Sequence, residues 1–469
     1  MRVMGESEDR LSRALREGEL TVAVYGLGHV GVPLLAAWLS AGARGIGVDV
    51  DETKVAAVAS GRSPVEEPGV EEILRAALSS GRLKSTTDGV LASRESDVKL
   101  IAVPTKLKSS PASMEAEADL SALKSAARAI GEGLKEGDLV ILESSVPPGT
   151  TRRVLRPILE EVSGLTAERD FGLAYSPERI YVGRALADIV ERYPKIVGGV
   201  GPESARVAAA LYREVAKRGV MVLSSDVAAE FEKLAEGVYR DVNIALANQL
   251  AILAARLGVE FEEVREAANS QPFCHLHRPG TGVGGPCIPI YPHFLLEVAR
   301  DVRVDLKLVE LARKINSEMP RRVAHLALEG TERAGLSPDS ASVCVLGLAF
   351  RGGVADTRLS PTYDLVMELL GLGFRSVRVH DPRVRVEGDL PRGVRLLSDL
   401  RAALQGCQVT VLSTDHPEYV GMSLARLREL SEGALRVVVD GRDCLDARHV
   451  PEGMIYLAVG RPIKVGRSS

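Results

Sequence analysis

The chain has 469 residues, 45% apolar and 26% charged, and its 59 Lys+Arg against 63 Asp+Glu leave a formal charge of −4. That length suits about three domains with buried cores, and an acidic balance without any long Lys/Arg run argues against nucleic acid as a partner. No apolar stretch reaches the roughly 18 residues of a membrane span, and the segment from Met1 to Leu20 has no apolar core of a secretory signal, so the expectation is a cytoplasmic protein without membrane contact.

Apolar runs bounded by turn residues predict strands at Thr21–Tyr25, Gly45–Val50, Val98–Val103, Leu139–Leu142 and Phe171–Tyr175, with helical patterns at Val32–Ser40, Leu120–Gly133 and Thr151–Val162 between them. Such alternation predicts parallel βαβ units and a doubly wound sheet over residues 20–223. Past a strand at Val220–Leu223 the character changes. Asp226–Leu257 reads as one long helix, followed by Val259–Asn269, a Gly/Pro-rich loop His277–Pro289 and another amphipathic stretch Leu306–Arg333, a helical connector over 224–335. Strands at Ala341–Leu346, Val377–His380, Val409–Ser413 and Val437–Asp440 then predict a second sheet domain over 336–460. The fold class expected is α/β, two Rossmann-like doubly wound sheet domains joined by a long-helix connector.

Gly26-Leu27-Gly28-His29-Val30-Gly31 fits G-x-G-x-x-G directly after a strand and at the opening of a helix. There glycine permits the tight turn and the close approach of a pyrophosphate, and the helix N-terminus offers unpaired N–H groups to it. Asp49 follows at the end of the second strand, where a carboxylate takes ribose hydroxyls and disfavours a 2′-phosphate, so NAD is expected over NADP; Lys54 reaches the same adenosine end. The competing reading is a glycine turn that binds nothing.

Five cysteines (Cys274, Cys287, Cys344, Cys407, Cys444) form no C-x-x-C pair, so neither a disulfide framework nor a metal site is expected. Cys344 and Cys407 lie in apolar runs and read as small buried hydrophobes. Cys287 differs, because the glycines of Pro279-Gly280-Thr281-Gly282-Val283-Gly284-Gly285-Pro286-Cys287 let backbone approach a ligand and expose the sulfur. A thiol beside a nicotinamide can trap an aldehyde as a thiohemiacetal, which a second hydride transfer oxidises to a thioester that water releases as an acid. Lys233, on the long helix, is a candidate base or oxyanion partner, set against the commoner reading of a solvated lysine.

With these elements the chain resembles the nucleotide-sugar 6-dehydrogenase family (the UDP-glucose/GDP-mannose dehydrogenase family) from about Thr21 to Val459. Further ordered matches are Val48-Asp49-Val50-Asp51, Glu67-Pro68-Gly69, Val103-Pro104-Thr105, Glu143-Ser144-Ser145-Val146-Pro147-Pro148-Gly149-Thr150, Ser176-Pro177-Glu178-Arg179-Ile180 and Tyr239-Arg240-Asp241-Val242-Asn243. Gly347-Leu348-Ala349-Phe350-Arg351, Asp356-Thr357-Arg358, His380-Asp381-Pro382 and Asp440-Gly441-Arg442 complete them. The resemblance implies oxidation of the C6 alcohol of a UDP- or GDP-sugar to a carboxylate with two NAD⁺ per sugar. It implies Cys287 as nucleophile and Lys233 as general acid/base. Asp49, Lys54, Thr105, Ser145 and Arg358 would join the glycine turn in the cofactor site. Glu178, Arg179, Ile180, Lys233, Arg240, Asn243, Gly284, Phe350, Arg351 and Arg442 would lie around the sugar nucleotide. The connector would form a homodimer interface, and the product would feed surface-polysaccharide or glycan synthesis.

Pro177-Glu178-Arg179-Ile180 followed by Gly183-Arg184 resembles the branch acting on UDP-N-acetylhexosamines, which implies UDP-N-acetyl-D-mannosamine as substrate, with UDP-N-acetylglucosamine or UDP-glucose as alternatives. Two positions depart from the family pattern: Gly237 stands where Asn is usual, four residues after Lys233, and Tyr291 where Asp is usual, four after Cys287. Pro286, Phe273 and Arg351 depart as well, with Arg278 a shifted substitute for the family arginine near Phe273. These changes leave two expectations, an enzyme whose acid/base groups have moved, to Asp241 or His293, or a paralogue that binds NAD and UDP-sugar without turnover. A two-electron 3-hydroxyacid or sugar-phosphate dehydrogenase is the third, and it needs no thiol.

Overall fold

The computed structural model describes residues 1–111 and 113–467. The chain folds as two compact units, one holding Met1–Ser110, Glu115–Glu236 and Glu297–Val302, the other Pro111–Met114 and the chain from Gly237 onward apart from Glu297–Val302. The boundary falls inside one helix, Asp226–Arg256.

The first unit is built on an eight-stranded sheet, ordered Val220–Val222, Lys195–Gly199, Gly172–Tyr175, Leu139–Leu142, Val98–Ile101, Thr21–Tyr25, Arg44–Val48, Leu83–Thr86. All neighbours run parallel except Gly172–Tyr175 against Lys195–Gly199. Its central strands are buried throughout because helices cover both faces, which is why they read as apolar runs rather than alternating ones. Lys99 is the exception in the middle of the sheet. It is fully buried, pairs with Asp138 and donates to the Ser96 carbonyl at 2.8 Å, and burial lowers its ammonium to about 8. Helix Gly31–Ser40 is buried over all but its last residue, with Trp38 edge-on to Tyr212 at 5.2 Å between ring centroids. A helix at Glu8–Arg16 precedes the expected start of the sheet. Ser7 caps it and Leu11, Ala14 and Leu15 enter the core, so the first residues belong to this unit.

The second unit carries a seven-stranded sheet, ordered Arg395–Leu397, Ser376–His380, Ser342–Leu346, Val409–Leu412, Val437–Asp440, Ile455–Ala458, Arg461–Val465, parallel apart from the final pair. Helix Lys307–Arg333 packs on it through Ala327 and Gly330. A Cβ at Gly330 would meet Val437 at 2.5 Å, so the helix lies close against the strands. Both sheets share one winding. From the first strand, two neighbours extend one way and the next strands extend the other, which places a reversal of direction between Thr21–Tyr25 and Val98–Ile101 and again between Ser342–Leu346 and Val409–Leu412. Ligands of such sheets sit beyond the carboxyl ends of the strands at that reversal. The two doubly wound sheets and the long helix are therefore those expected from the sequence, with strand ends within one or two residues.

Candidate active site

In the first unit the glycine turn lies at the reversal. Gly26 has φ +101° and its N–H donates to the Val48 carbonyl at 2.7 Å. A Cβ on Gly31 would lie 1.8 Å from the Gly26 carbonyl oxygen, so helix and strand approach as only glycine allows, while a Cβ on Gly28 would meet open space. The helix begins at Gly31 without a side-chain cap, and the Val32 N–H donates to the Gly28 carbonyl at 3.1 Å. His29 and Val30 are half-buried beside it.

Asp49 is already engaged. Its carboxylate accepts from the Leu27 N–H at 2.7 Å, the Asp51 N–H at 3.0 Å and the Lys54 ammonium at 3.3 Å, so it both shapes the turn and fixes Lys54. Val50 beside it is 93% exposed. The Thr105 hydroxyl is buried with no hydrogen-bond partner among the described residues, and Ser145 stands half-buried beyond the end of strand Leu139–Leu142. An open cradle over Gly28, an uncapped helix start and an orphaned hydroxyl fit a dinucleotide.

The same unit holds a buried chain of charges. Lys195 donates to Glu143 at 2.8 Å and to Glu178 at 2.6 Å, the Tyr212 hydroxyl donates to Glu143, and the Lys233 ammonium donates to the backbone carbonyl of Glu178 at 2.6 Å. Two buried carboxylates thus share the Lys195 ammonium. Burial raises Glu143 to about 7; it would lower Lys195 too, but the flanking carboxylates hold that group above its usual range. Glu178 thus contributes its backbone to Lys233 and turns its carboxylate to Lys195. Arg179 donates to the Pro194 carbonyl, faces Glu236 at 3.6 Å, and lies 5.7 Å from the Tyr193 ring; Ile180 is half-buried against the core. Glu143, Lys195, Tyr212 and Glu230 were not singled out from sequence, because their partners lie far along the chain and only the fold brings them together. Glu230 accepts from the Gly149 N–H and from the Thr151 N–H and hydroxyl, and so fixes the Pro147-Pro148-Gly149 turn.

In the second unit Cys287 is half-buried, at the end of a loop whose glycines are demanded by close neighbours. Gly285 has φ +92° and a Cβ there would lie 2.8 Å from the Phe350 ring, while one on Gly284 would lie 2.9 Å from Phe350 Cβ. The Gly285 N–H donates to the Arg358 carbonyl at 3.0 Å. Arg358 is held by Asp356, which raises it further, and Cys287 lies near enough to act on it, so the arginine expected at the cofactor stands near the thiol. Arg351 stacks over Phe350 at 5.9 Å. Arg442 packs against Gly280 and pairs with Asp415 at 3.2 Å. Downstream, the N–H groups of Ile290 and Tyr291 both donate to the Cys287 carbonyl at 3.0 Å, so the thiol sits on the turn that leads into helix Tyr291–Asp301. Asn243 holds the approach to the loop, donating to the His275 carbonyl at 2.7 Å and accepting from the His277 N–H at 2.9 Å; Arg240 is half-buried one turn earlier.

The two departures meet. A Cβ on Gly237 would lie 2.3 Å from Cδ2 of Tyr291, so the phenol ring fills the space over the helix where a larger residue would stand. Asp241, one candidate for a moved acid/base group, is buried and accepts from Arg313 at 2.6 Å and Asn316 at 2.8 Å, which makes it a tie between helices. His293 is fully buried, Phe273 is almost fully exposed, and Arg278 pairs with Glu262 at 3.0 Å.

The chain matches three domains of the UDP-glucose/GDP-mannose dehydrogenase family: the NAD binding domain over residues 20–216, the central domain over 227–318 and the UDP binding domain over 344–447. It is 37% identical over 442 residues to the UDP-N-acetyl-D-mannosamine dehydrogenase of Pyrococcus horikoshii, covering 94% of this chain and 99% of that protein. The solved structure of the UDP-D-ManNAc dehydrogenase from Pyrococcus horikoshii is 36% identical, with a TM-score of 0.85 and coverage of 94% and 99%. That of the NDP-N-acetyl-D-galactosaminuronic acid dehydrogenase of Methanosarcina mazei is 32% identical, with a TM-score of 0.82 and coverage of 97% and 98%.

Proposed function

Because the chain belongs to the UDP-glucose/GDP-mannose dehydrogenase family, we propose that it oxidises the C6 alcohol of a UDP-N-acetylhexosamine, UDP-N-acetyl-D-mannosamine first, to the carboxylate. The observation that carries this reading is the Cys287 loop, a half-exposed thiol on a turn that leads into a helix, beside Phe350 and Arg358. A plain two-electron dehydrogenase has no use for such a thiol. UDP-N-acetylglucosamine and UDP-glucose are the alternative substrates.

Bound NAD⁺ would supply the hydride acceptor for both oxidations, one molecule for each. The residues assigned to hold it are the turn from Gly26 to Gly31, Asp49, Lys54, Thr105 and Ser145, with Arg358. Lys233, held by the Glu178 carbonyl at 2.6 Å, serves the C6 oxygen as general acid/base and oxyanion partner. The Cys287 sulfur attacks the C6 aldehyde to give the thiohemiacetal, and water cleaves the resulting thioester, returning the thiol and releasing the acid. Phe350 and Gly284 shape the pocket around the thiol. Arg442, Arg351, Arg179 and Arg240 are the cations for the diphosphate, suited by the two-pronged guanidinium grip. The helical residues 224–335 form the dimerising middle domain between sheet domains 20–223 and 336–460, and the enzyme works in the cytoplasm; no helix among the described residues is long and apolar enough to cross a membrane.

NADH release measured across UDP-N-acetylmannosamine, UDP-N-acetylglucosamine, UDP-glucose and GDP-mannose tests the reading. The highest kcat/KM is expected with UDP-N-acetylmannosamine. Turnover with none of the four refutes the proposal in favour of a binding paralogue.

A further inference from the structure

A second feature of the C-terminal unit is a cavity of about 260 Å³ between the last turn of helix Asp226–Arg256, helix Lys307–Arg333 and the turn joining the last two strands. Its apolar surface comes from residues such as Ile252 and Leu326, and two arginines line it, Arg256 and Arg322. Neither arginine has a hydrogen bond or ion pair among the described residues; Arg256 is exposed, on the last residue of its helix. Arg322 is half-buried, and burial together with the nearby charge of Arg256 disfavours its cation, with Glu329 alone acting the other way. Glu329 is itself committed to Arg333 at 2.8 Å. Arg461, also on the wall, is already paired with Asp443 and Glu260.

The positive charge of this cavity is therefore unmatched, and it belongs to the two guanidinium groups alone. Two adjacent guanidinium groups present two forks of donors, which a single carboxylate cannot fill but the oxygens of a phosphate can. A phosphomonoester carries close to two negative charges near neutral pH, matching the pair, and the aliphatic wall suits a small apolar body attached to the phosphate. We infer that this cavity is a second ligand site, which binds a small phosphomonoester between Arg256 and Arg322. Because it takes in the end of the helix that carries Arg240 and Asn243, occupancy stiffens that helix against Lys307–Arg333.

Isothermal titration of the full-length chain with phenyl phosphate, in the presence of saturating UDP, tests the inference, since UDP occupies any phosphate subsite of the substrate. The expected result is one additional binding site per chain, with inorganic phosphate binding more weakly for want of the apolar body. Arg322→Gln and Arg256→Gln should each weaken phenyl phosphate about tenfold or more. Glu329→Gln, which removes the nearest negative charge, should tighten it. Arg333→Gln leaves both lining arginines in place but frees Glu329 to face Arg322, and should weaken phenyl phosphate. No heat with wild type overturns the inference. So does unchanged affinity in both arginine variants. If those variants instead alter self-association while wild type takes up no phenyl phosphate, the two cations meet acidic groups of a second copy, and the proposed ligand is wrong.

Discussion

Gly237→Ala is the sharpest perturbation of the thiol's support. An exposed helical glycine replaced by alanine ordinarily gains about 1 kcal/mol from backbone entropy and propensity. Here the added Cβ would stand 2.3 Å from Tyr291 Cδ2, more than 1 Å inside ordinary contact. Overpacking of this kind costs about 1–3 kcal/mol, so the net expectation is a loss of about 0–2 kcal/mol in place of a gain. The Tyr291 N–H is bonded to the Cys287 carbonyl, so a backbone shift at Tyr291 moves the turn that carries the sulfur. Stability by urea unfolding, and kcat with Cys287 alkylation rate as the functional readouts, should therefore fall together. Tyr291→Ala opens the space, and in the double variant Gly237→Ala regains its normal sign, giving a coupling of about 1–3 kcal/mol. If Gly237→Ala stabilises the wild-type background by about 1 kcal/mol with unchanged alkylation, or if the two changes simply add, the packing argument is refuted.

Three further outcomes follow from the geometry. Burial raises Glu143 and Glu230 each to about 7; between the ordinary carboxylate range and that value the folded chain binds more protons than the unfolded one, so stability falls as pH rises through this window. Calorimetry from pH 5 to 7.5 should show the melting temperature declining on that account, and Glu143→Gln with Glu230→Gln should flatten the decline. Asp49→Ala removes the acceptor of the Leu27 N–H and the partner of Lys54; NAD should bind about tenfold or more weakly by fluorescence titration, and the preference over NADP should shrink. Gly285→Ala meets both a φ of +92° and the Phe350 ring; kcat should drop at least tenfold, and Phe350→Ala should not restore it because the backbone strain remains.

The two sheets were legible because a strand covered on both faces must be an apolar run, and runs such as 139–142 and 437–440 end where they were expected to. Strand Lys195–Gly199 escaped, since its leading lysine reads as a surface residue and only the fold brings Glu143 and Glu178 to it. Helix Glu8–Arg16 escaped because charges dominate it and three buried residues make its whole apolar face. At the site, the glycine turn and Cys287 were visible as local patterns with a mechanism attached. The roles of Glu178 and Asn243 were not, because which atom of a residue serves the site depends on partners far away in sequence: the Glu178 carboxylate faces Lys195, and the Asn243 amide clasps residues 275–277. The kinship of Gly237 and Tyr291 was equally hidden, being a contact between residues 54 positions apart, 291 − 237.

The electron count at the thiol separates four-electron from two-electron chemistry. With limiting UDP-N-acetylmannosamine and excess NAD⁺, wild type should release two NADH for each sugar consumed and yield the uronate, while Cys287→Ser should lose the steady production of acid. One NADH per sugar with an aldehyde product, or full four-electron turnover in Cys287→Ser, would contradict it.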